Sequence, residues 1–201
     1  ELGFKYRNPA MILSDGLIGQ MMEKVELFDP IPRRTDAQVA EECPWATTGC
    51  KGKGKKRIIK SLNLVASAEE EHNRHIQAKY REIEKNEIRF EALNCDDAEY
   101  VIVAYGSSSR TGMKAMDMAR KAGIKVGLFR PITLWPFPTK QIQELAAHAK
   151  GFLCVEMSAG QMVEDVRLAV NGKAPVAHYG RMGGVIATPQ EILEQIKAMV
   201  K

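Results

Sequence analysis

Hydrophobic and polar positions fall into two regimes along the chain, divided near residue 95. In the second regime, Tyr100–Tyr105 (YVIVAY) is an unbroken apolar, β-branched run, the pattern of a strand buried on both faces. Lys125–Phe129, Phe152–Val155 and Pro175–Tyr179 predict three more strands. Each is followed by a helical period. Arg110–Ala122 carries Met113, Met116 and Ala119 on one face. Lys140–Ala149 carries Ile142, Leu145, Ala146 and Ala149, Gln161–Val170 carries Met162, Val166 and Ala169, and Gln190–Val200 carries Ile192, Leu193, Ile196 and Val200.

Local punctuation agrees with this alternation. Gly123, Gly151 and Gly172 stand where helices should end in a left-handed residue. Ser158-x-x-Gln161 and Thr188-Pro189-Gln190-Glu191 read as capping boxes, the second with proline at the first helical position. The stretches between consecutive strands exceed the dozen or so residues that a crossover needs, so hairpins are excluded. Residues 95–201 are therefore expected to form an α/β domain on a mainly parallel sheet of four or five strands.

The first regime is less regular. Ala10–Leu13 predicts a strand, Ser14–Gly16 a turn and Ile18–Val25 a helix. One strand and one helix cannot bury a core, so they read as the tail of a truncated domain. The chain's first residue, Glu1, fits a fragment. Residues 29–66 read as a connector with little periodicity. Ser67-x-x-Glu70 is a further capping box, opening a charged helix to about Lys85 with a thin apolar stripe of Ile76, Tyr80 and Ile83. Glu87–Glu91 (EIRFE) alternates, as a short edge strand does.

Composition narrows the classes. With 29 basic and 25 acidic residues in 201, the net charge of +4 does not by itself imply nucleic acid. No apolar run approaches the ~18 residues of a membrane span, and no secretory leader is evident. Cys43, Cys50, Cys95 and Cys154 form no C-x-x-C pair and lack the close spacing of ferredoxin cluster ligands. They read as reduced thiols in a cytoplasmic chain, with a Cys43–Cys50 disulfide as the alternative.

Ligands of parallel sheets gather beyond the carboxyl ends of the strands, which directs attention to four loops. In Gly106–Arg110 (GSSSR), Ser107, Ser108, Ser109 and Arg110 open a helix, and with Arg181 they are candidates for an anion site. The alternative is that the serines only cap the helix. Arg130–Pro138 (RPITLWPFP) is stiffened by three prolines and offers Trp135 and Phe137 to an interface or to the end of its own sheet. Gly180–Gly184 (GRMGG) is either a tight turn or a close backbone approach. In Glu156–Gln161 (EMSAGQ), Glu156 suggests acid chemistry, whereas Glu164 and Asp165 suit a helix start. His72 and His75 with Glu71 read as a solvated face before a metal site. The basic run Lys51, Lys53, Lys55, Lys56, Arg57 is a solvated loop or a surface for an acidic partner, expected to be mobile in isolation. Spacing supports no Ser–His–Asp or Cys–His arrangement, and neither a catalytic residue nor a metal ligand is assigned.

The segments RNPAMILSDGLIGQMMEKVEL (7–27), DDAEYVIVAYGSSSR (96–110), GIKVGLFRPITLWPFP (123–138) and VEMSAGQMVEDVRLAVNGKAPVAHYGRMGG (155–184) resemble the α subunit of 2-oxoacid:ferredoxin oxidoreductases. The likeness is greatest to the 2-oxoisovalerate, or branched-chain, enzymes, with the 2-oxoglutarate enzymes next. The resemblance implies CoA-acylating oxidative decarboxylation of a 2-oxoacid with thiamine diphosphate and Mg²⁺, electrons leaving through [4Fe–4S] clusters to ferredoxin. It implies that residues 1–28 are the remnant of a pyrimidine-binding domain, 29–94 a connector, and 95–201 a transketolase C-terminal-like domain. It places the diphosphate and Mg²⁺ on a β subunit, and the clusters on that subunit and a ferredoxin-like one. No cofactor is expected on this chain alone. Ser14, where relatives tend to have glycine, and the lysine-rich loop depart from the family pattern. Two rivals stand beside this reading: a free-standing anion-binding regulatory α/β module, and a basic adaptor that binds nucleic acid through residues 51–57. Neither nucleic acid nor membrane is the expected partner.

Overall fold

A computed structural model describes residues 1–47, 49, 50 and 56–200, so Lys51, Lys53 and Lys55 of the basic run lie outside the described residues. These residues form two compact units, 1–21 with 76 onward, and 22–75.

The first unit is built on a five-stranded sheet: β1 (Phe90–Leu93), β2 (Tyr100–Val103), β3 (Val126–Pro131), β4 (Gly151–Glu156) and β5 (Val176–Gly180), in the order β1-β3-β2-β4-β5. β2 to β5 run parallel, as expected, and β1 closes one edge antiparallel to β3. The alternating segment anticipated at Glu87–Glu91 enters the sheet three residues late. Glu87 is instead pulled out of register by Lys5 and Tyr6, which donate to its carboxylate at 2.7 and 2.6 Å.

Both faces of the sheet are covered because β2 is apolar throughout, and β3 and β4 are apolar except for Arg130 and Glu156 at their carboxyl ends. Val101, Val103, Phe152 and Cys154 pack against α5 (Thr139–Leu145) and α6 (Met162–Val170). Tyr100, Ile102, Leu153 and Val155 pack against α4 (Gly106–Lys121) and α7 (Pro189–Val200). The helical faces predicted from periodicity are the buried ones, except that Met113 and Val200 at the helix margins are exposed. The capping box of α7 is present: Thr188 N–H donates to Glu191 at 2.7 Å and Glu191 N–H to Thr188 Oγ1 at 3.2 Å. Gly123 and Gly172 are left-handed, but Gly151 is not. It opens β4, where a Cβ would lie 2.9 Å from Met199 Cε of α7, so its role is close packing.

The N-terminal segment differs most from expectation. Among the described residues Ala10–Leu13 pairs with no strand, and the anticipated helix over 18–25 is one 3-10 turn, Ile18–Gln20, after a short α1 (Leu2–Tyr6). A strand needs a neighbour for its backbone groups, and Met11, Ile12 and Leu13 stay 83, 95 and 63 % exposed.

The second unit holds α2 (Asp36–Glu42) and the first half of α3 (Ala66–Asn86). α2 carries a full capping box, Thr35 with Gln38, whose Thr-x-x-Gln spacing is itself a helix-start signal in the sequence. α3 begins at Ala66, so Ser67 lies inside its first turn instead of ahead of it, and Asn63 donates to Glu69 at that end. Of the basic run, Lys56 and Arg57 are described. Both are exposed, and Arg57 donates to the carbonyl of Ala46.

Candidate functional site at the carboxyl edge of the sheet

β2 and β4 are neighbours, yet the chain leaves them for opposite faces, into α4 and α6. Such a divergence opens a crevice at the strands' carboxyl ends. A cavity of about 1070 Å³ lies there, walled by Tyr105, Gly106 and Ser108 after β2, by Arg130–Pro136 after β3, and by Glu156–Ser158 and Gln161 after β4. The rest of the wall comes from the N-terminal segment, chiefly residues 8–15, and from Ile83 and Glu87.

Glu156 organises this crevice. It is only 2 % exposed, yet its carboxylate accepts from the N–H groups of Gln161, Met162 and Val163 at 2.8–3.3 Å and from Ser158 Oγ at 3.2 Å. It does the work expected of Ser158, whose hydroxyl turns back to the same carboxylate and accepts the Gly160 N–H at 3.2 Å. A buried carboxylate at a helix start is favoured by unpaired N–H groups and by the helix dipole together. The sequence marked Glu156 as acidic but could not show that it faces α6, because that depends on how β4 meets the helix. His178 Nε2 of β5 stands 3.5 Å from Glu156 Oε1 and is buried with no hydrogen-bond partner. Tyr105 is pushed above its ordinary range by burial and by the Glu156 charge.

Asp15 plays the matching part at α4. The N-cap, Tyr105, supplies no side-chain cap, and Ser109 Oγ donates to Gly106 carbonyl within the first turn. The serines therefore do not cap the helix; Asp15 does, accepting the Ser107 N–H at 3.2 Å through Oδ2 while Oδ1 accepts the Ile18 N–H at 2.9 Å. Burial opposes the Asp15 charge, but the Ile18 N–H and its neighbours outweigh it and hold the carboxyl below the usual range. Ser107, Ser108 and Ser109 are buried and Arg110 is exposed. Arg181 is engaged elsewhere, 2.9 Å from Glu191 and 3.3 Å from Tyr179. Gly183 and Gly184 form a tight turn with positive φ.

Trp135 and Phe137 part company. Phe137 packs on the core beneath α5 and α6, whereas Trp135 is 52 % exposed with its ring edge-on to Tyr80, centroids 5.4 Å apart.

All four cysteines are free thiols, so the alternative disulfide is not formed. Burial raises Cys95 to about 11, and burial together with Glu156 raises Cys154 further. Between pH 9 and 11 the unfolded chain loses the Cys95 proton that the folded chain keeps. Cys95 thus favours the fold below pH 9 and that contribution fades through pH 11. Alkylation at pH 8 should label exposed Cys50 at once, and Cys95 and Cys154 only on unfolding. Labelling of all at equal rates would contradict the burial.

Among the described residues, no group of three or more His, Cys, Asp or Glu converges as a metal site. Three of the four cysteines, Cys43, Cys95 and Cys154, are buried, and the described residues offer no ligand set for an iron–sulfur cluster or a metal-bound diphosphate. Nor does the cavity suit coenzyme A. Its cationic lining residue, Arg130, is committed to Glu91 at 2.9 Å, and a cluster of basic side chains is missing from the described lining.

Comparison with known proteins decides what this scaffold is. Residues 98–192 match the family model for pyruvate:ferredoxin oxidoreductase core domain II. Over 200 residues, 98 % of this chain, it is 44 % identical to the ketoisovalerate oxidoreductase subunit VorB of Methanothermobacter marburgensis, covering 54 % of that protein. The chain belongs to the 2-oxoacid:ferredoxin oxidoreductase subunits. Identity is 30 % to the 2-oxoglutarate synthase subunit KorA of the same organism, over 99 % of this chain and 58 % of the relative. The chain thus spans about half the length of the curated relatives it matches. In fold it is similar to a 2-oxoglutarate:ferredoxin oxidoreductase from Magnetococcus marinus solved with 2-oxoglutarate, coenzyme A and succinyl-CoA bound. The TM-score is 0.65 at 21 % identity, over 78 % of this chain and 28 % of that one. No helix among the described residues is long and apolar enough to cross a membrane.

Proposed function

We propose that this chain is the C-terminal part of the α subunit of a cytoplasmic ketoisovalerate:ferredoxin oxidoreductase, which decarboxylates 2-oxoisovalerate oxidatively and acylates coenzyme A. The observation that carries this is the 44 % identity to VorB along 98 % of the chain, against 30 % to KorA. In this reading residues 1–28 are the end of a pyrimidine-binding domain, 29–94 a connector and 95–201 a transketolase C-terminal-like domain. The partners are a β subunit and a ferredoxin-like subunit. Thiamine diphosphate, Mg²⁺ and [4Fe–4S] clusters belong to the assembled enzyme.

What the chain contributes is architecture. Its apolar segment around Met11–Leu13 is exposed over a crevice whose walls are pinned by Glu156 and Asp15. An exposed apolar run of this kind is surface awaiting a partner. The test is co-expression with the partner subunits and assay of CoA-dependent ferredoxin reduction. 2-Oxoisovalerate should outpace 2-oxoglutarate, and the 201-residue chain alone should be inert. Faster turnover of 2-oxoglutarate would move the assignment to the sister enzymes, and thiamine-dependent oxidation by the chain alone would end the scaffold reading.

Trp135 is proposed as part of the surface that meets the rest of the enzyme. Trp135→Ala should leave the melting temperature within about 2 °C, because the side chain is half exposed, yet weaken co-purification of the partners. Phe137→Ala should do the reverse, costing about 2–3 kcal/mol of stability, since Phe137 packs on the core. Equal effects of the two on melting temperature would show both to be private core.

A further inference from the structure

β5 is an edge strand, hydrogen-bonded to β4 alone among the described residues. Its ladder opens with the Phe152 N–H on the Pro175 carbonyl at 2.9 Å and closes with the Arg181 N–H on the Glu156 carbonyl at 3.0 Å. Successive residues of a strand turn their N–H and C=O groups to opposite sides. Ala177 and Tyr179 therefore face β4, and Val176, His178 and Gly180 face the open edge. Among the described residues, no hydrogen bond reaches the edge-facing backbone groups. Val176 packs on one core cluster, and Ala177 and Tyr179 on the other, so the faces of β5 are covered and its edge is what remains. Sheet edges are normally blunted by charge, by proline or by a bulge. β1, at the far edge, carries Glu91, ion-paired with Arg130 at 2.9 Å. β5 (VAHYG) carries none of these devices, and its register with β4 is unbroken.

The strand is also complementary to itself. Set an antiparallel copy beside it about a two-fold axis at His178. Val176 then meets Gly180 of the other copy, Ala177 meets Tyr179, and His178 meets its twin. At each off-axis position a large side chain stands opposite a small one. Edge-facing residues meet edge-facing residues, so every free N–H donates to a free carbonyl across the axis. A slip of one residue would set edge-facing groups against groups already bonded to β4. Met182 and Val185, 59 and 46 % exposed just beyond β5, add apolar surface at the same end of the strand. We propose that the open edge of β5 is a self-docking surface, on which a second copy of this chain lays its own β5 antiparallel and joins the two sheets into one. The match of large to small side chains favours a copy over an unrelated strand, which would satisfy the backbone groups alone. The contact is isologous and closes at two copies. It is short, so the dimer is weak and depends on concentration. This surface goes beyond the proposed enzymatic role and is independent of which 2-oxoacid is used.

The experiment is sedimentation and residue-resolved hydrogen exchange of the 201-residue chain across a concentration series. A dimer should form as concentration rises. With it, the amides of Val176, His178 and Gly180 should become protected, whereas those of Ala177 and Tyr179, bonded to β4 throughout, should not change. No other mode of association gives that alternation. His178→Pro removes an edge-facing N–H and no bond to β4, so the fold should persist by circular dichroism. The dimer should dissociate about tenfold more readily or worse, because each copy loses a donor and leaves a carbonyl unpaired. A chain that stays monomeric to millimolar concentration overturns the proposal, as does a dimer without the alternating protection. Alternation that appears only when the partner subunits are added assigns the edge to one of them and overturns self-docking. A folded His178→Pro chain that dimerises as tightly as the parent does the same, and if that variant fails to fold, the exchange pattern decides.

Discussion

Glu156→Ala should lower the stability of the α/β unit by about 3–4 kcal/mol, the largest effect expected from one polar side chain in it. Loss of a helix cap costs about 1–2 kcal/mol. The remainder comes from buried N–H groups of Met162 and Val163 left without an acceptor, at about 1–3 kcal/mol. Glu156→Gln keeps the shape and one acceptor oxygen, so it should lose about half as much. Denaturant titration of both variants gives the numbers, and hydrogen exchange at Met162 and Val163 locates the damage. A Glu156→Ala protein within 1 kcal/mol of the parent would show that water or a neighbour replaces the cap.

A single methyl group at Gly180 should be nearly as costly. Gly180 ends β5 directly opposite Glu156. A Cβ there would overlap the Ser158 carbonyl and lie 2.7 Å from His178 Cε1. The carbonyl belongs to the backbone of the crevice loop and cannot swing aside as a side chain could. Overpacking of this kind costs about 3 kcal/mol, and here it also displaces the loop that Glu156 holds. Gly183→Ala is the control. Its φ is +66°, but nothing lies within 4 Å of a Cβ, so it should lose only about 1 kcal/mol from backbone strain. A Gly180→Ala protein as stable as Gly183→Ala would mean that residues 156–161 adapt freely. The crevice would then be softer than its hydrogen bonds indicate.

These two positions show why the candidate site was only half legible. Glu156 and Gly180 sit 24 residues apart, and neither matches a motif. Their meaning comes from β4 and β5 lying side by side, which no local pattern encodes. Ser158-x-x-Gln161 is the instructive failure. Its spacing suits a capping box, but a carboxylate delivered by the preceding strand is a stronger acceptor than a hydroxyl and takes the helix N–H groups first. Ser107–Ser109 failed likewise, because their cap, Asp15, comes from 92 residues upstream.

By itself the sequence determined the α/β alternation, the four parallel strands and the buried helix faces. Each rests on a period of 2 or 3.6 residues that burial imposes on neighbouring positions. It also carried the family, since long uninterrupted likenesses survive where short motifs do not. Only the tertiary structure decided that β1 starts at Phe90 and runs antiparallel to β3, that Phe137 packs on the core while Trp135 stays exposed, and that two carboxylates cap α4 and α6. It decided too that Met11–Leu13, apolar enough for a strand, pairs with none of the described strands. Periodicity reports which face a segment wants to bury, whereas pairing and capping depend on which groups the fold brings within 3 Å.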